Sequence, residues 1–214
     1  MSHSYDWDSD DAEESCEEKI ELRANGLQTF DTAILKFCIG KDIENEAVHN
    51  VTLTCVHQNL DLGSVFARLI NAEELDSFQM DMDDISHDCM DLASLVFDGA
   101  GMLQRKWLRD SVSKGSGVWT ASLGQNGFLV VETIQVGMAY RRKGVGKVML
   151  EALIKLAKNR NASYAFLWAT QLNTAPDVSF NQPDSEALFS ANKARATAFC
   201  RAIGFRRIGT TSCE

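Results

Sequence analysis

The 214-residue chain lacks several features that mark particular classes of protein. It has no run of about 18 apolar residues, so no membrane span is expected. Its acidic N-terminus is unlike a signal or transit peptide. Its six cysteines show no Cys-x-x-Cys spacing, so we expect reduced thiols rather than metal clips or disulfides. These absences predict a soluble intracellular protein with no membrane partner, placed in the cytoplasm with the nucleus left open.

Basic side chains are scarce in the first half of the chain. Residues 1–100 hold 23 acidic and five basic side chains, whereas residues 101–214 hold seven acidic and 16 basic. The second half therefore suits a polyanionic ligand, while the first half would repel nucleic acid, for which we expect no role. The acidic side chains at 73–91 form either a solvated helix face or a surface that attracts an amine, and the sequence leaves both readings open.

The composition predicts one domain and a series of short elements. With 45% hydrophobic residues and no internal repeat, we expect a single domain at 19–214 behind a disordered acidic tail at 1–18. Strand-like runs at 32–39, 50–57 and 64–70 predict a meander. Further predicted elements are helices at 85–97, 102–109 and 146–158, a helix ending at 203, and strands at 117–123, 127–136 and 163–169, the first two joined as a hairpin. A polar stretch after 169 holds the only prolines and is predicted to be an insertion or a lid.

The most informative stretch joins a strand to a helix through a basic turn, V-G-M-A-Y-R-R-K-G-V-G-K at 136–147. Glycines at 144 and 146 allow backbone to approach a ligand. The N–H groups of the first helical turn lack intrahelical partners, and the helix dipole is positive there. Together with the surrounding Arg and Lys side chains, these donors favour a bound phosphate.

Two common phosphate loops do not match the spacing of this turn. A Walker loop requires Gly at 141 and Ser or Thr at 148, where this chain has Arg141 and Val148. A dinucleotide fingerprint requires a third glycine at 149, where this chain has Met149. The turn is therefore neither of these loops.

The spacing that fits is R-x-x-G-x-G, with Arg141, Gly144 and Gly146 behind an apolar strand. This pattern resembles the acyl-CoA signature of the GNAT superfamily of N-acetyltransferases. A second block at 196–209, A-T-A-F-C-R-A-I-G-F-R-R-I-G, is similar to the family's later helix, turn and strand. The resemblance covers 127–209 and implies an α/β fold with a mixed central sheet flanked by helices, whose cofactor half spans about 117–209.

The resemblance implies acetyl-CoA as co-substrate and no metal. In the family a gap opens between the strands that here carry Val136 and Trp168. The pantetheine arm is expected in that gap, bonded to backbone, with the pyrophosphate on the turn. The cofactor-binding residues so implied are Val136, Met138, Arg141, Arg142, Lys143, Gly144, Val145, Gly146 and Lys147.

Acyl transfer from a thioester to a primary amine requires a group that removes a proton from the ammonium. Glu132 is the only carboxylate in the cofactor strand, and alternation predicts that it shares a face with Ile134 and Val136. We predict that it acts as a base directly or through water; the alternative is an edge carboxylate in solvent or paired with an arginine. Cys200 stands where many members of the family have a tyrosine acid, and we expect it to be a core residue, with the leaving thiolate protonated by water.

The resemblance also predicts a strand at 205–210, after which few residues remain for its usual hairpin partner. The C-terminal strand pair is therefore expected to be incomplete, with a second copy or a missing segment supplying the neighbour. The prediction for the whole chain is an acetyl-CoA-dependent N-acetyltransferase that acts on a small-molecule or peptide amine by direct attack. The alternatives are a catalytically silent acyl-CoA sensor or scaffold, and a plain interaction domain.

Overall fold

A computed structural model describes residues 14–22, 31–109, 112–113, 119–124, 126–169, 185–209, 211 and 213. Within these residues, six strands form one mixed sheet in chain order, and helices pack on both of its faces. The strands are β1 (Glu14–Leu22), β2 (Asp31–Lys41), β3 (Val48–His57), β4 (Leu60–Asn71), β5 (Gly127–Val136) and β6 (Ala162–Leu167). The helices are α1 (Phe78–Ile85), α2 (His87–Val96), α3 (Arg105–Arg109), α4 (Val145–Asn159) and α5 (Ser185–Ile203). No helix in these ranges is long and apolar enough to cross a membrane.

Strands β1 to β5 pair antiparallel and β6 joins β5 in parallel. The predicted meander at 32–39, 50–57 and 64–70 is confirmed as β2, β3 and β4. The tail predicted for 1–18 is wrong at 14–18, because β1 begins at Glu14. Its charge suits an edge strand, as in the ion pair of Glu17 with Lys36 at 3.2 Å, since charged side chains protect an open sheet edge.

The larger core lies between the sheet and the helices α4 and α5. Alternate residues of β2 to β5 point to this face, and α4 places an apolar stripe against them at helical spacing. Both the strand at 127–136 and the helix at 146–158 are confirmed, because β5 and α4 occupy these positions. The predicted strand at 163–169 corresponds to β6 with a shorter end.

The opposite face of β4 to β6 is covered by α1, α2 and α3, with four aromatic rings at its centre. These rings belong to Phe78, Phe97, Phe128 and Phe166, with neighbouring centroids 5.3–6.4 Å apart. Contacts of this kind stabilise a core beyond the burial of apolar area alone. The two cores fix the order of layers as helices, sheet and helices.

The helix predicted at 85–97 is confirmed as α2, and a further helix that was not predicted, α1, precedes it and is separated from it at Ser86. Ser86 has extended backbone angles, and its hydroxyl accepts a hydrogen bond from Cys89 N–H at 3.2 Å. Serine is a favoured N-cap because its oxygen satisfies a free donor of the first helical turn. The helix predicted at 102–109 is shorter than expected and forms only at α3.

Two predicted strands are wrong. Residues 121–124 form a 3₁₀ turn, and β5 hydrogen-bonds to β4 and β6 instead of forming a hairpin with a strand at 117–123. The described part of 205–210 forms no strand; it begins after Gly204, with a φ angle of 111°, and contains Gly209, with a φ angle of 55°. Cys213 forms a single antiparallel bridge with Trp168, and its carbonyl accepts a hydrogen bond from Ile208 N–H at 3.0 Å.

The aromatic cluster predicts a large difference between two neighbouring truncations. Phe97→Ala removes a ring that is 1% exposed and touches three others, so it should lower the free energy of unfolding by about 3–5 kcal/mol. Leu95→Ala is the control, because Leu95 is 43% exposed and should cost about 0.5 kcal/mol. Denaturant titration measures both, and equal losses would show that the cluster does not carry the second core.

Candidate active site

Strands β5 and β6 pair only over the first half of β5. Their parallel register ends at Val131 opposite Leu167, where β6 also ends. From Glu132 to Val136, β5 continues with β4 as its only partner among the described residues. The edge of β5 is therefore open on the β6 side just before the glycine turn, as the predicted gap between the strands of Val136 and Trp168 requires.

A β-bulge lies at the point where the two strands separate. Ala67 of β4 pairs with Val131, but the preceding Phe66 pairs with Thr133, so Glu132 is the extra residue. The bulge shifts the alternation, and Val131 and Ile134 both face α4. The prediction that Glu132 shares a face with Ile134 and Val136 is therefore wrong: its carboxylate lies on the other face, against Ser86 at the junction of α1 and α2.

The hydrogen-bond pattern of β5 directs backbone groups toward the open edge. Gly137 N–H donates to Leu62 O at 2.9 Å, which fixes the phase of the antiparallel ladder. Residues of β5 alternate between bonding to β4 and facing away from it, so the N–H and C=O groups of Ile134 and Val136 point away from β4. An open edge of this kind can pair with an extended chain that carries amide groups.

The turn between β5 and α4 matches the predicted phosphate cradle in its backbone. Arg142 and Gly144 have positive φ angles of 62° and 86°, and Gly144 provides no side-chain cap to the helix. The first intrahelical bond runs from Val148 N–H to Gly144 O at 3.0 Å. The amides of Val145, Gly146 and Lys147 therefore have no partner within the helix and suit an anion.

The side chains of the turn are arranged around this helix start. Arg141 Nε donates to Val136 O at 3.0 Å and so covers one of the carbonyls on the open edge. Lys143 Nζ lies 5.8 Å from the centroid of the Tyr140 ring, and Met138 is 84% exposed. The structure therefore brings the predicted cofactor residues together at one end of β5.

Gly146 has a packing role that the sequence did not indicate. It is buried, and a Cβ placed on it would lie 3.2 Å from Phe199 Cζ and 3.5 Å from Val136 Cγ2. The glycine lets α5 approach the start of α4. Replacing it with a bulky residue would disturb this packing as well as any ligand, so Gly146 is a poor probe of binding.

Glu132 has two hydrogen-bond partners, and both bind the same oxygen. Arg68 Nε lies 2.8 Å from Glu132 Oε1, and Ser86 Oγ lies 2.6 Å from it. Its side chain is 13% exposed and that of Arg68 is 16% exposed. The pairing with an arginine, given above as the alternative for Glu132, is thus present, together with a hydroxyl donor.

The network continues from Arg68 along the same face of the sheet to β3 and the loop after β2. Arg68 Nη1 donates to Asp42 Oδ2 at 3.1 Å and to Asn50 Oδ1 at 2.9 Å. Asn50 Nδ2 also donates to Asp42 Oδ2 at 3.0 Å. Sequence reasoning missed these residues, although a lone arginine inside the apolar run V-F-A-R-L-I at 65–70 was a signal that it needed a buried partner.

Two ionisable groups in or beside this network, Asp42 and Cys89, have shifted pKa values. Burial alone would raise the pKa of Asp42, but hydrogen bonds from Glu44 N–H and Asn50 and the charge of Arg68 outweigh it and lower the pKa. Its stabilising contribution is therefore present above the ordinary value of 3.8 and is lost as the pH falls below it. Burial raises the pKa of Cys89, next to Ser86, to about 12, so this thiol stays protonated.

Cys200, at the position of the family's tyrosine, lies in the core. Its side chain is fully buried within the cluster between the sheet and the helices α4 and α5. The expectation of a core residue agrees with this placement. The polar stretch at 170–184, predicted to be an insertion or lid, lies outside the described residues.

A cavity of about 860 Å³ lies at the other end of β5 and α4. Its lining includes Gly127, Lys158 and Tyr164 and none of the residues of the glycine turn. It is therefore separate from the candidate site, which consists of a strand edge, a helix start and a partly buried carboxylate. Among the described residues, no group of three or more His, Cys, Asp or Glu side chains is arranged to hold a metal.

Comparison with known proteins adds one match. Residues 99–180 match the model of the acetyltransferase (GNAT) family. No curated protein and no solved structure matches the chain. The matched range contains β5, the glycine turn, α4 and β6, so the resemblance carried by the R-x-x-G-x-G spacing is confirmed. The block at 196–209 lies beyond the matched range, and its resemblance stays a prediction.

The burial of Cys200 predicts a cost in stability when its thiol is replaced by a hydroxyl. Cys200→Ser should lower the free energy of unfolding by about 1–3 kcal/mol, because it places a more polar hydroxyl among the apolar side chains of the core. Cys16→Ser is the control, since Cys16 is exposed on β1 and should change stability little. Thermal or denaturant unfolding of both variants is the measurement, and an unchanged Cys200→Ser would argue against a core role.

Proposed function

We propose that the chain transfers the acetyl group of acetyl-CoA to a primary amine of a small molecule or peptide by direct attack. The proposal is supported by the match of residues 99–180 to the model of the acetyltransferase (GNAT) family. Members of this family use acetyl-CoA as co-substrate, so acyl-CoA-dependent acetyl transfer is the supported class of activity. The observation that carries the finer proposal is the open edge of β5, which joins a partly buried carboxylate at one end to an uncapped helix start at the other.

The residues present fit the parts of acetyl-CoA. The open edge at Ile134 and Val136 suits the amide groups of the pantetheine arm. The free amides of Val145 to Lys147, with the exposed cations of the turn, suit the pyrophosphate. Arg141 would exchange its bond to Val136 O for a phosphate, which frees that carbonyl for the arm. Met138 is exposed just after the end of β5 and would contact the same ligand.

The chain's contribution to the chemical step is the removal of a proton. Acetyl-CoA supplies an activated acetyl group as a thioester. Glu132 takes one proton from the ammonium, directly or through water, and the free amine nitrogen bonds to the thioester carbonyl carbon. The carbon–sulfur bond breaks, and the sulfur leaves with the bonding electron pair and receives the second nitrogen proton by way of water. The products are the N-acetylated amine and CoA, and Glu132 returns its proton to solvent.

The second candidate is a catalytically silent acyl-CoA sensor or scaffold. Two observations favour it: Cys200 is fully buried in the core, and Glu132 is already paired with Arg68. Thiol release from acetyl-CoA in the presence of amines separates the two, because a sensor would bind without turnover. A panel of primary amines and peptides, scored by thiol release and by mass gain, therefore tests the proposed transfer.

We predict that Lys147→Gln weakens acetyl-CoA binding about tenfold, because it removes one cation from the proposed phosphate site. Lys158→Gln is the matched control, since it removes the same charge about 16 Å away at the other end of α4. Calorimetry and the shift in melting temperature with excess acetyl-CoA measure both variants. Absence of acetyl-CoA binding to the unmodified chain would refute the proposal, and equal losses in the two variants would refute this location.

We predict that Glu132→Gln lowers turnover about 100-fold to 10,000-fold while leaving acetyl-CoA affinity unchanged, because the amide cannot accept the proton. The glutamine oxygen can still accept hydrogen bonds from Arg68 and Ser86, so the fold should be retained. Turnover should recover in part at high pH, where more of the amine is uncharged. Steady-state kinetics with the fastest amine of the panel are the measurement, and undiminished turnover would remove Glu132 from the mechanism.

A further inference from the structure

We propose that Arg68 is a positioning residue that fixes Glu132 in the orientation needed to accept the amine proton. This inference rests on the proposed function, and it concerns a residue outside the glycine turn and outside the matched range of the chain. It is drawn from the contacts that converge on the bulge of β5.

The first step is the division of roles between the two oxygens of Glu132. Both donors, Arg68 Nε and Ser86 Oγ, bind Oε1 at 2.8 and 2.6 Å. Among the residues that the structure describes, Oε2 receives no hydrogen bond. Oε1 therefore anchors the carboxylate, and Oε2 is the oxygen that can take the proton of an amine or a bridging water.

The second step is the need for an anchor at this position. Glu132 is the extra residue of the bulge, so the regular ladder between β4 and β5 does not fix its direction. A glutamate on an open edge would otherwise sample several rotamers, and a base must lie within hydrogen-bond reach of the proton it removes. The anchor at Oε1 limits that freedom.

The third step is that Arg68 is itself held rigidly. Its Nη1 is bonded to Asp42 and Asn50, while its Nε is bonded to Glu132. Its guanidinium also lies 5.4 Å from the centroid of the Phe66 ring. The planar fork of an arginine can serve both sides at once, which the single ammonium of a lysine cannot. The network therefore transmits its rigidity to Glu132.

Ser86 ties the same oxygen to the helices of the opposite layer. Its hydroxyl donates to Glu132 and accepts from Cys89 N–H, which starts α2. The junction of α1 and α2 is thus fixed relative to the base. Arg68 and Ser86 hold Oε1 from the sheet and from the helices respectively, so loss of Arg68 leaves a single anchor.

The experiment is a double-mutant cycle in turnover, measured with the fastest amine of the panel. Arg68→Gln should lower kcat about tenfold in the native background and leave the KM for acetyl-CoA unchanged, as expected for a misplaced base. In the Glu132→Gln background the same change should lower kcat less than about twofold, because no base remains to be positioned. Arg68→Lys should give an intermediate loss.

Two further variants separate positioning from folding. Lys36→Gln removes an exposed ion pair of the same sheet and should leave kcat and melting temperature unchanged. Asp42→Asn keeps the contact of Arg68 with Glu132 but weakens the ion pair that holds the Nη1 end of the guanidinium. We therefore expect kcat to fall a few-fold while acetyl-CoA binding persists. If Arg68→Gln does not fold, Arg68→Lys replaces it in the cycle.

The outcomes are distinguishable. Equal losses for the Arg68 change in both backgrounds, or full activity of the Arg68 variants while Glu132→Gln is impaired, would overturn the positioning role and leave the transferase proposal intact. Full activity of Glu132→Gln would instead overturn the base. No turnover with any amine, despite acetyl-CoA binding, would overturn the proposed function and the role of Arg68 together.

Discussion

A single extra residue in β5, the bulged Glu132, sets the geometry on which the rest of the candidate site depends. Among the residues that the structure describes, β5 is paired on both edges before the bulge and only with β4 after it. The bulge reverses the alternation, so that the carboxylate faces α1 and α2 while Ile134 faces α4. One local irregularity thus places a proton acceptor on one face of a strand whose open edge can bind an extended ligand.

The carboxylate of Glu132 lies on a mostly covered face and belongs to a connected polar network. An isolated charge there would be strongly unfavourable, and a buried ion pair compensates only if its remaining hydrogen-bonding groups are also satisfied. Arg68 meets this condition with oxygens of Glu132, Asp42 and Asn50. The network spans residues from β3 to β5 and the loop after β2, so it links the acidic first half of the chain to the strand that carries the proposed base.

Local patterns predicted the elements around the site well. The period-two runs gave β2, β3 and β4, and the strand, glycine turn and helix around Arg141 and Gly144 form as predicted. These patterns depend on residues within one or two turns of each other. Predictions failed where distant parts of the chain meet. The strand predicted at 117–123 ends in a 3₁₀ turn, and just before that turn Trp119 Nε1 donates to Arg207 O. The 205–210 segment forms no strand, and its Gly209 lies against Trp107.

The sequence by itself determined the meander, the basic turn, the resemblance to an acetyltransferase family and the choice of Glu132 as a candidate base. Only the tertiary structure decided which face Glu132 occupies, because the bulge depends on the register between β5 and β4 and cannot be read from the sequence pattern of β5 alone. Tertiary contacts likewise decided that Arg68 and Ser86 meet the same carboxylate oxygen, across 64 and 46 residues of chain. The spacing of residues in the sequence does not predict such long-range contacts, because they arise from the packing of strands and helices.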